Sequence, residues 1–175
     1  MRVLVVGGAG SGKSAYAEQL ACSLSPHRTY VATMENKSEE AKRRIARHRA
    51  QRAGLDFNTI EWPKHPWGVC TKGGVALLED LGNLVANTLF LPNGAMADSQ
   101  SVTDVLERHV LDFSNSYEHV VVVGNLAGCS GGSAYASTQA WIRVVGTLCC
   151  RLAASFDAVV EVVAGIPQVR KGELP

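Results

Sequence analysis

Several features that would mark a special class of protein are scarce in this 175-residue sequence. No apolar stretch approaches the roughly 20 residues that span a bilayer. The net charge of +1 gives no reason to expect nucleic acid or an anionic membrane as partner. The apolar run at residues 3–6 is too short for a signal peptide and leads straight into a glycine-rich motif. We find no repeat or linker, so residues 1–175 are expected to form one domain.

Cysteine is too sparse and too scattered for a disulfide framework or a zinc knuckle. The five cysteines, none in a C-x-x-C pair, are Cys22, Cys70, Cys129, Cys149 and Cys150. We expect most of them to be small core residues of a cytoplasmic protein, kept reduced there. The apolar content of 46% and charged content of 19% are ordinary for a globular chain, so neither points to disorder or a membrane.

Short apolar runs alternate with helical patterns along the chain. Strands are predicted at 2–6, 29–32, 57–62, 75–78, 119–123 and 158–163, and helices at 14–24, 36–53, 81–91, 102–115 and 136–154. This alternation is typical of an α/β protein whose helices cover both faces of a mostly parallel sheet. In the second helix Asn36 and Glu39 have capping-box spacing, and Gly54 is the expected stop. Residues 63–68 (PKHPWG) predict a turn.

A phosphate-binding motif follows the first predicted strand. Its pattern G-x-x-x-x-G-K-[ST] is met by Gly7, Gly8, Ala9, Gly10, Ser11, Gly12, Lys13 and Ser14. The glycines let the backbone N–H groups surround phosphates, and the following helix adds partial positive charge. Lys13 is expected to bridge the β- and γ-phosphates and Ser14 to bind Mg²⁺. The alternative, a glycine-rich turn without a ligand, fits this strand-to-helix context poorly. The sequence therefore predicts a three-layer P-loop NTPase fold of the RecA-like type.

A second acidic group is needed near the metal. Glu79 and Asp80 follow the apolar run 75–78, at the edge of a parallel sheet where ligands bind. Either carboxylate would suit the task of orienting Mg²⁺, while Asp80 would also suit the N-cap of the next helix. We favour Glu79 for the nucleotide and metal site.

The predicted helix 36–53 is unusually basic and contains a histidine. Its cations are Lys42, Arg43, Arg44, Arg47, Arg49 and Arg52. Arg44 and Arg52 lie one turn on either side of His48, so like charges stack on one face and an anion is indicated there. Neighbouring cations also favour neutral, nucleophilic imidazole. From spacing alone, however, a solvated basic face with an incidental histidine remains the favoured explanation.

The order of the motifs resembles a known family. The matching segments are GGAGSGKS at 7–14, TYVAT at 29–33, RRIARHRAQR at 43–52, NTIEW at 58–62, ALLEDLGNLVANTLF at 76–90, HVVVVGN at 119–125 and RLAASFDAVVEVVAGIP at 151–167. Together they resemble the bifunctional adenosylcobinamide kinase / adenosylcobinamide-phosphate guanylyltransferase family of cobalamin biosynthesis. The P-loop alone is widespread, but the P-loop followed by V-A-T and R-I-x-x-H-x-x-x-R is far more specific.

The resemblance implies a two-step enzyme that uses ATP or GTP with Mg²⁺. The first step phosphorylates adenosylcobinamide, and the second transfers GMP from GTP to that phosphate through a guanylylated histidine, which falls on His48. The arginines of the same helix would stabilise the transferring phosphate. The GTP site implied by the correspondence comprises Ala32, Thr33, Met34, Arg49, Ala50, Gln51, Arg52, Glu61 and Glu79. The resemblance also implies self-association as a trimer, with the basic helix near a subunit interface.

Two segments depart from the family's usual pattern. Where the family reads T-N-E-V-G, this chain reads G-N-L-A-G at 124–128, so that Leu126 replaces the acid. The family's F-R-D-x-x-G-x-x-N-Q appears as W-I-R-V-V-G-T-L-C-C at 141–150, which keeps Gly146 and the aromatic start. We therefore infer a divergent member whose kinase step or corrinoid substrate has changed.

Two alternatives accompany the two-step transferase. One is a P-loop kinase of another small alcohol, in which His48 forms no covalent intermediate. The other is a family member that binds nucleotide but has lost catalysis, as the altered segments would allow. Nucleotide labelled at the α-phosphate separates the first alternative from the transferase, and turnover separates the second.

Overall fold

The computed structural model describes residues 1–35, 38–62, 73–126 and 135–175, without the side chains of Arg44 and Gln51. The strands are β1 Arg2–Gly7, β2 Arg28–Ala32, β3 Phe57–Glu61, β4 Val75–Glu79, β5 His119–Asn125, β6 Ala158–Val163 and β7 Ile166–Lys171. The helices are α1 Lys13–Leu24, α2 Glu39–Arg52, α3 Leu81–Leu89, α4 Ser99–Ser114 and α5 Ala136–Ser155. The predicted turn at 63–68 lies outside the described residues.

The described strands form one sheet in the order β3-β2-β4-β5-β1-β6-β7. All neighbours pair in parallel except β6 and β7, which are antiparallel. β5 lies between β1, which leads into the phosphate loop, and β4, which ends at Glu79. The carboxyl ends of the parallel strands therefore bring the loop and the acid to one edge of the sheet, where ligands bind in such folds.

The sheet separates two apolar cores. Val3 and Val5 of β1 pack on the face that α1 covers, whereas Leu4 and Val6 pack on the face of α3, α4 and α5. This alternation follows from the two-residue period of a strand. The buried strands are rich in valine because both faces are covered. The predicted α/β architecture with a mostly parallel, doubly covered sheet is confirmed.

The start of α2 differs from the sequence prediction. The helix begins at Glu39, and Ser38 is its N-cap, with the hydroxyl accepting a hydrogen bond of 3.0 Å from the N–H of Ala41. The predicted capping box from Asn36 to Glu39 was therefore wrong, because the N-cap is Ser38, whose hydroxyl satisfies a free N–H group of the first turn. Asn36 itself lies outside the described residues. The helix ends at Arg52, close to the predicted stop.

The antiparallel strand β7 was not predicted. Every residue of Ile166–Lys171 is exposed, so the sequence shows no apolar periodicity there. A tight turn connects β6 to β7, with φ of 49° at Ala164 and 81° at Gly165. Positive φ at both central residues is what short β-hairpins prefer, because it matches the twist of the strands.

None of the helices in the described residues combines the length and apolar character needed to cross a bilayer. The cysteines within the described residues, Cys22, Cys149 and Cys150, are free thiols. Among these three, Cys149 is buried in the core as expected, whereas Cys22 is only partly buried and Cys150 is exposed. Cys70 and Cys129 lie outside those residues. Burial raises the pKa of the Cys149 thiol to about 12, so that this thiol is an inert core group.

Candidate active site

The phosphate-loop motif joins the end of β1 to the start of α1. Gly7 ends the strand, and its carbonyl accepts a hydrogen bond of 3.1 Å from the N–H of Leu126. Gly10 and Gly12 have φ of 70° and 88°, a left-handed conformation that glycine adopts at little cost. The helix then begins at Lys13. The strand–loop–helix context that the motif requires is therefore present.

The loop packs closely on itself and on β6. A Cβ at Gly7 would lie 2.4 Å from Ser11 Oγ and 2.7 Å from the carbonyl oxygen of Val162, so that only glycine fits. Lys13 is buried, and its Nζ donates a hydrogen bond of 3.2 Å to the carbonyl of Gly8. Ser11 Oγ is buried and has no hydrogen-bond partner within the described residues. A buried ammonium and a spare hydroxyl in one glycine-rich loop suit the oxygens of a phosphate.

A cavity next to this edge of the sheet collects most of the other predicted site residues. It is lined by Tyr30, Ala32, Met34, Ile45, His48, Arg49, Arg52, Thr59, Glu61, Glu79, Asp80 and Asn83. Strands β2, β3 and β4 contribute one wall, and α2 contributes the histidine and both arginines. The geometry therefore brings His48 and the two arginines of α2 together with three carboxylates, Glu61, Glu79 and Asp80, from other segments of the chain.

His48 faces the carboxylate that ends β4. Its Nδ1 lies 3.9 Å from Glu79 Oε1, and Glu79 is 6% exposed. The second oxygen, Glu79 Oε2, is buried without a hydrogen-bond partner in the described residues. A buried carboxylate oxygen of this kind is costly unless it binds a cation or a donor. Within the described residues, Glu79 thus presents a buried carboxylate oxygen that can accept a hydrogen bond or bind a cation.

Asp80 is the N-cap of α3, the alternative role that its position before that helix had suggested. Its Oδ1 accepts a hydrogen bond of 2.8 Å from the N–H of Asn83 and so caps α3. A cis peptide bond joins Glu79 to Asp80, and the hydroxyl of Thr33 forms hydrogen bonds to both sides of it. Thr33 Oγ1 donates to the carbonyl of Glu79 at 2.8 Å and accepts from the N–H of Asp80 at 2.7 Å. Thr33 thus fixes the chain at the two acids.

Arg52 is the buried cation of the site. Its guanidinium lies 3.3 Å above the centre of the Tyr30 ring and 3.7 Å from Glu18 of α1. Burial raises the pKa of the Glu18 carboxyl, the charge of Glu79 adds to this, and Arg52 opposes both. Burial likewise raises the pKa of Tyr30. Arg49 differs, because it is exposed and pairs at 3.1 Å with exposed Glu61.

Some predicted residues lie elsewhere. Thr33 is buried and does not line the cavity, because its side chain is turned to the peptide between the two acids. Ala50 is exposed, since it lies two residues from His48 and hence on another face of α2. The side chain of Gln51 is outside the described part of the chain. The phosphate loop forms a separate part of the same edge and does not contribute to the cavity.

Sequence reasoning missed four lining residues and one supporting acid. The missed lining residues are Tyr30, Ile45, Thr59 and Asn83, and the supporting acid is Glu18. Strand periodicity could have found Tyr30, because it shares a face with Ala32. Nothing in the sequence alone links Glu18 to Arg52, since that contact depends on how α1 and α2 pack.

Three of the positions that depart from the family's pattern, Gly124, Leu126 and Cys149, lie on the same face of the sheet. A Cβ at Gly124 would lie 2.8 Å from Cys149 Sγ, so that the small residue on β5 makes room for the thiol on α5. Leu126 is partly buried and packs against the core of the same face. Gly124, Leu126 and Cys149 thus belong to the apolar packing on one face of the sheet.

Comparison with known proteins gives a consistent result over nearly the whole chain. Residues 3–169 match the family described as cobinamide kinase / cobinamide phosphate guanyltransferase. The bifunctional adenosylcobalamin biosynthesis protein CobP of Pseudomonas aeruginosa is 30% identical over 177 residues, which cover 99% of each chain. The corresponding protein CobU of Salmonella typhimurium is 29% identical over 178 residues, covering 95% of this chain and 97% of that one.

Solved structures share the fold at much lower identity. An ATPase from the type III secretion system of pathogenic bacteria superposes with a TM-score of 0.55 and 9% identity. The match covers 97% of this chain but only 56% of the ATPase chain. At that identity the likeness concerns the fold alone, and it agrees with the P-loop architecture described above.

Proposed function

Because the chain belongs to the cobinamide kinase / cobinamide phosphate guanyltransferase family, we propose that it phosphorylates adenosylcobinamide and then transfers GMP to the product through His48. The observation that carries the proposal is the cavity in which His48 lies 3.9 Å from Glu79 and beside Arg49 and Arg52. A histidine can supply the nucleophile of nucleotidyl transfer through a covalent intermediate, and guanidinium groups can stabilise charge on the transferring phosphoryl group.

The phosphate loop would hold the nucleoside triphosphate, ATP or GTP, in the kinase step. The hydroxyl oxygen of the acceptor forms a bond to the γ-phosphorus, the bond to the β-phosphate oxygen breaks, and the nucleoside diphosphate leaves with the proton released to solvent. Lys13 would stabilise the charge that develops on the β- and γ-phosphates. Its buried position inside the loop supports this role.

The oxygen donors at this edge fit Mg²⁺. Ser14 follows Lys13 in the first turn of α1, and Glu79 Oε2 is a buried carboxylate oxygen that lacks a partner in the described residues. Mg²⁺ takes one or two protein oxygens and completes its shell with phosphates and water. The described residues hold no cluster of three or more His, Cys, Asp or Glu, which suits an ion held mainly by its substrate. When bound, it neutralises charge on the triphosphate.

In the second step His48 would attack the α-phosphorus of GTP. The Glu79 carboxylate on the Nδ1 side favours a proton on that nitrogen and leaves the lone pair on Nε2. A bond forms from Nε2 to the phosphorus, and pyrophosphate leaves. The phosphate oxygen of the acceptor then attacks the same phosphorus and releases His48. Arg49 and Arg52 would stabilise the transferring phosphoryl group in both halves.

The nucleoside would lie in the same cavity as His48. Ala32 and Met34 offer apolar contact, and Glu61 at the end of β3 offers an exposed carboxylate. A carboxylate accepts hydrogen bonds from guanine N1–H and N2–H or from ribose hydroxyls. Glu61 would exchange its bond with Arg49 for the nucleotide, which frees the arginine for phosphate.

Labelled GTP tests the proposal directly. Purified protein is incubated with Mg²⁺ and GTP labelled at the α-phosphate, and protein-bound label is measured after acid and after base. We expect a label that is lost in acid, survives in base and is absent in His48→Ala and Lys13→Ala. His27→Ala, which removes an exposed histidine outside the cavity, is the matched control and should label normally. A native protein that binds GTP but stays unlabelled would refute the covalent step.

The same preparation separates the alternatives. Transfer of γ-label to adenosylcobinamide without α-label on the protein would indicate a simple kinase, in which His48 is not covalent. Tight nucleotide binding without transfer of either label would indicate a member that has lost catalysis. The proposal requires both transfers.

We also propose that the protein is a single domain that assembles as a trimer in the cytoplasm. All the described strands belong to one continuous sheet, which supports one domain. The free thiols of the described cysteines support a reducing compartment. The β6–β7 hairpin exposes Val163, Ile166 and Val169, and Ile166 is 64% exposed, so this patch suits a subunit contact. Ile166→Lys should lower the mass measured by light scattering from trimer to monomer, and an unchanged mass would exclude this contact.

A further inference from the structure

A second cleft opens at the same edge of the sheet, on the other side of Asp80. It lies between α3 and the first turns of α5, and the lining residues that matter here are Asp80, Asn83, Phe90, Asn125, Thr138 and Trp141. The side chains of Phe90 and Trp141 form an apolar wall. The amides of Asn83 and Asn125 and the hydroxyl of Thr138 offer hydrogen bonds. None of the functions assigned above uses this cleft.

The cleft is held open by specific contacts. The indole Nε1 of Trp141 donates a hydrogen bond of 2.9 Å to the carbonyl of Gly82, which fixes the ring against the first turn of α3. A Cβ at Gly82 would lie 2.5 Å from Asn125 Nδ2, 3.0 Å from Trp141 Cζ2 and 3.2 Å from Asp80 Oδ1. The absence of a side chain at Gly82 thus lets an amide, an indole and a carboxylate approach one point.

The cleft begins one strand away from the phosphate loop. Asn125 ends β5 and is the register partner of Gly7, the first residue of the loop. The next N–H, that of Leu126, donates to the Gly7 carbonyl at 3.1 Å. Adjacent strands are about 4.8 Å apart. A group seated beside Asn125 therefore lies next to the site of the triphosphate.

The charge of the cleft differs from that of the His48 cavity. Its lining within the described residues contains no lysine, arginine or histidine, and Asp80 is its one charged side chain. A negative carboxylate among neutral groups favours an uncharged or cationic ligand and disfavours a phosphate. The His48 cavity also contains carboxylates, but its Arg49 and Arg52 supply guanidinium groups that can bind a phosphate. Asp80 and Asn83 line both spaces, so the two are contiguous.

We propose that this second cleft binds the acceptor alcohol of the kinase step and that Asn125 positions its hydroxyl beside the phosphate loop. The inference rests on the proposed function and names the part of the site that receives the substrate before it is phosphorylated. The ligand class is an alcohol carried on a bulky body with apolar and amide surface. After phosphorylation the guanidinium groups of Arg49 and Arg52, which the cleft lacks, would attract the product toward the contiguous His48 cavity.

Filling the cleft tests the proposal. Thr138→Phe places a ring in the cleft from α5, whereas Thr147→Phe puts the same ring on an exposed face of that helix and is the matched control. The KM for adenosylcobinamide is measured by transfer of γ-label, and guanylylation of His48 by α-label without corrinoid. We expect Thr138→Phe to raise this KM about 10- to 200-fold, the range of one pocket contact. Its guanylylation should remain within about twofold of native, and Thr147→Phe should change neither quantity.

A milder substitution tests the same proposal in case Thr138→Phe does not fold. Asn125→Ala removes one neutral hydrogen bond and should raise the same KM about two- to twelvefold with His48 labelling retained. If folded Thr138→Phe keeps the native KM, or if Thr138→Phe does not fold and Asn125→Ala keeps it, the proposal is overturned. Loss of His48 labelling in Asn125→Ala would also overturn it, because the residue would then serve the other cavity. A native protein that transfers neither label would instead refute the proposed function.

Discussion

The contact of Arg52 with Glu18 and Tyr30 leads to a quantitative prediction for Arg52→Met. Both ionic side chains are largely buried, with exposures of 6% for Arg52 and 11% for Glu18. At their separation of 3.7 Å, an effective dielectric constant near 20 gives a gross attraction of roughly 4 kcal/mol, much of it offset by desolvation. Removing one member of such a pair costs about 3–5 kcal/mol, because the other charge stays buried. We expect Arg52→Met to lower the free energy of unfolding by about 3 kcal/mol at neutral pH.

The effect should depend on pH in a defined direction. The pKa of Glu18 is already raised by burial and by Glu79, and Arg52 is the group that lowers it. Without Arg52 the pKa of Glu18 in the folded state rises further above its ordinary value in the unfolded chain. An acid with a raised folded pKa stabilises the fold below its unfolded pKa and loses that contribution as pH rises through the folded pKa. The cost of Arg52→Met should therefore shrink as the pH is lowered and Glu18 becomes protonated.

Urea unfolding at one protein concentration, at neutral pH and at mildly acidic pH, measures this. Arg49→Met is the matched control, because Arg49 is exposed and its pair with Glu61 is worth less than about 1 kcal/mol. Adding Glu18→Gln to Arg52→Met should recover part of the lost stability. Equal destabilisation by the two arginine variants at neutral pH would refute the reasoning. So would a cost of Arg52→Met that is independent of both pH and Glu18.

Contacts of Thr33, Gly7 and Lys171 lead to three further testable predictions. Thr33→Val deletes the buried hydroxyl that accepts from Asp80 N–H, so urea unfolding should show a loss of about 1–3 kcal/mol, and guanylylation should fall with it. Gly7→Ala forces a Cβ into the phosphate loop and should weaken nucleotide binding by tenfold or more in equilibrium dialysis, since each 1.4 kcal/mol is a factor of ten. Gly54→Ala, which meets no atom within 4 Å, should leave that binding unchanged. Lys171 donates from Nζ to three carbonyls at the C-terminal end of α5, so Lys171→Met should cost about 0.5–2 kcal/mol in urea unfolding without changing nucleotide affinity.

Local sequence patterns predicted the fold well where one rule governs each element. Valine runs buried on both faces gave the parallel strands, and the phosphate loop followed from its glycines and Lys13. The sequence patterns did not predict β7, because all its side chains are exposed and burial imposes no apolar periodicity on them. The start of α2 was misjudged because Asn36 and Ser38 are both good caps, and the choice between them depends on the path of the preceding chain.

The candidate site was less predictable because its contacts join distant segments. The approach of His48 to Glu79 depends on where α2 lies over the ends of β2 and β4. The family resemblance gave the arginines of α2 one shared role, the stabilisation of the transferring phosphate. Packing separates them, since Arg52 is buried over an aromatic ring and Arg49 stands in solvent. Only the three-dimensional structure assigns one cation to the interior and the other to the rim.

The β6–β7 hairpin, which forms one side of the sheet, contacts the phosphate loop directly. The N–H of Gly165 at its turn donates a hydrogen bond of 2.8 Å to the carbonyl of Ser11, and a Cβ at Gly12 would lie 3.3 Å from the Cα of Gly165. A force or a bound partner that displaces the turn therefore acts on the loop that holds the triphosphate. Linkage is reciprocal, so nucleotide occupancy would change the affinity of such a partner by the same factor by which the partner changes nucleotide affinity. A partner that binds the β6–β7 hairpin can therefore change how the phosphate loop binds the triphosphate.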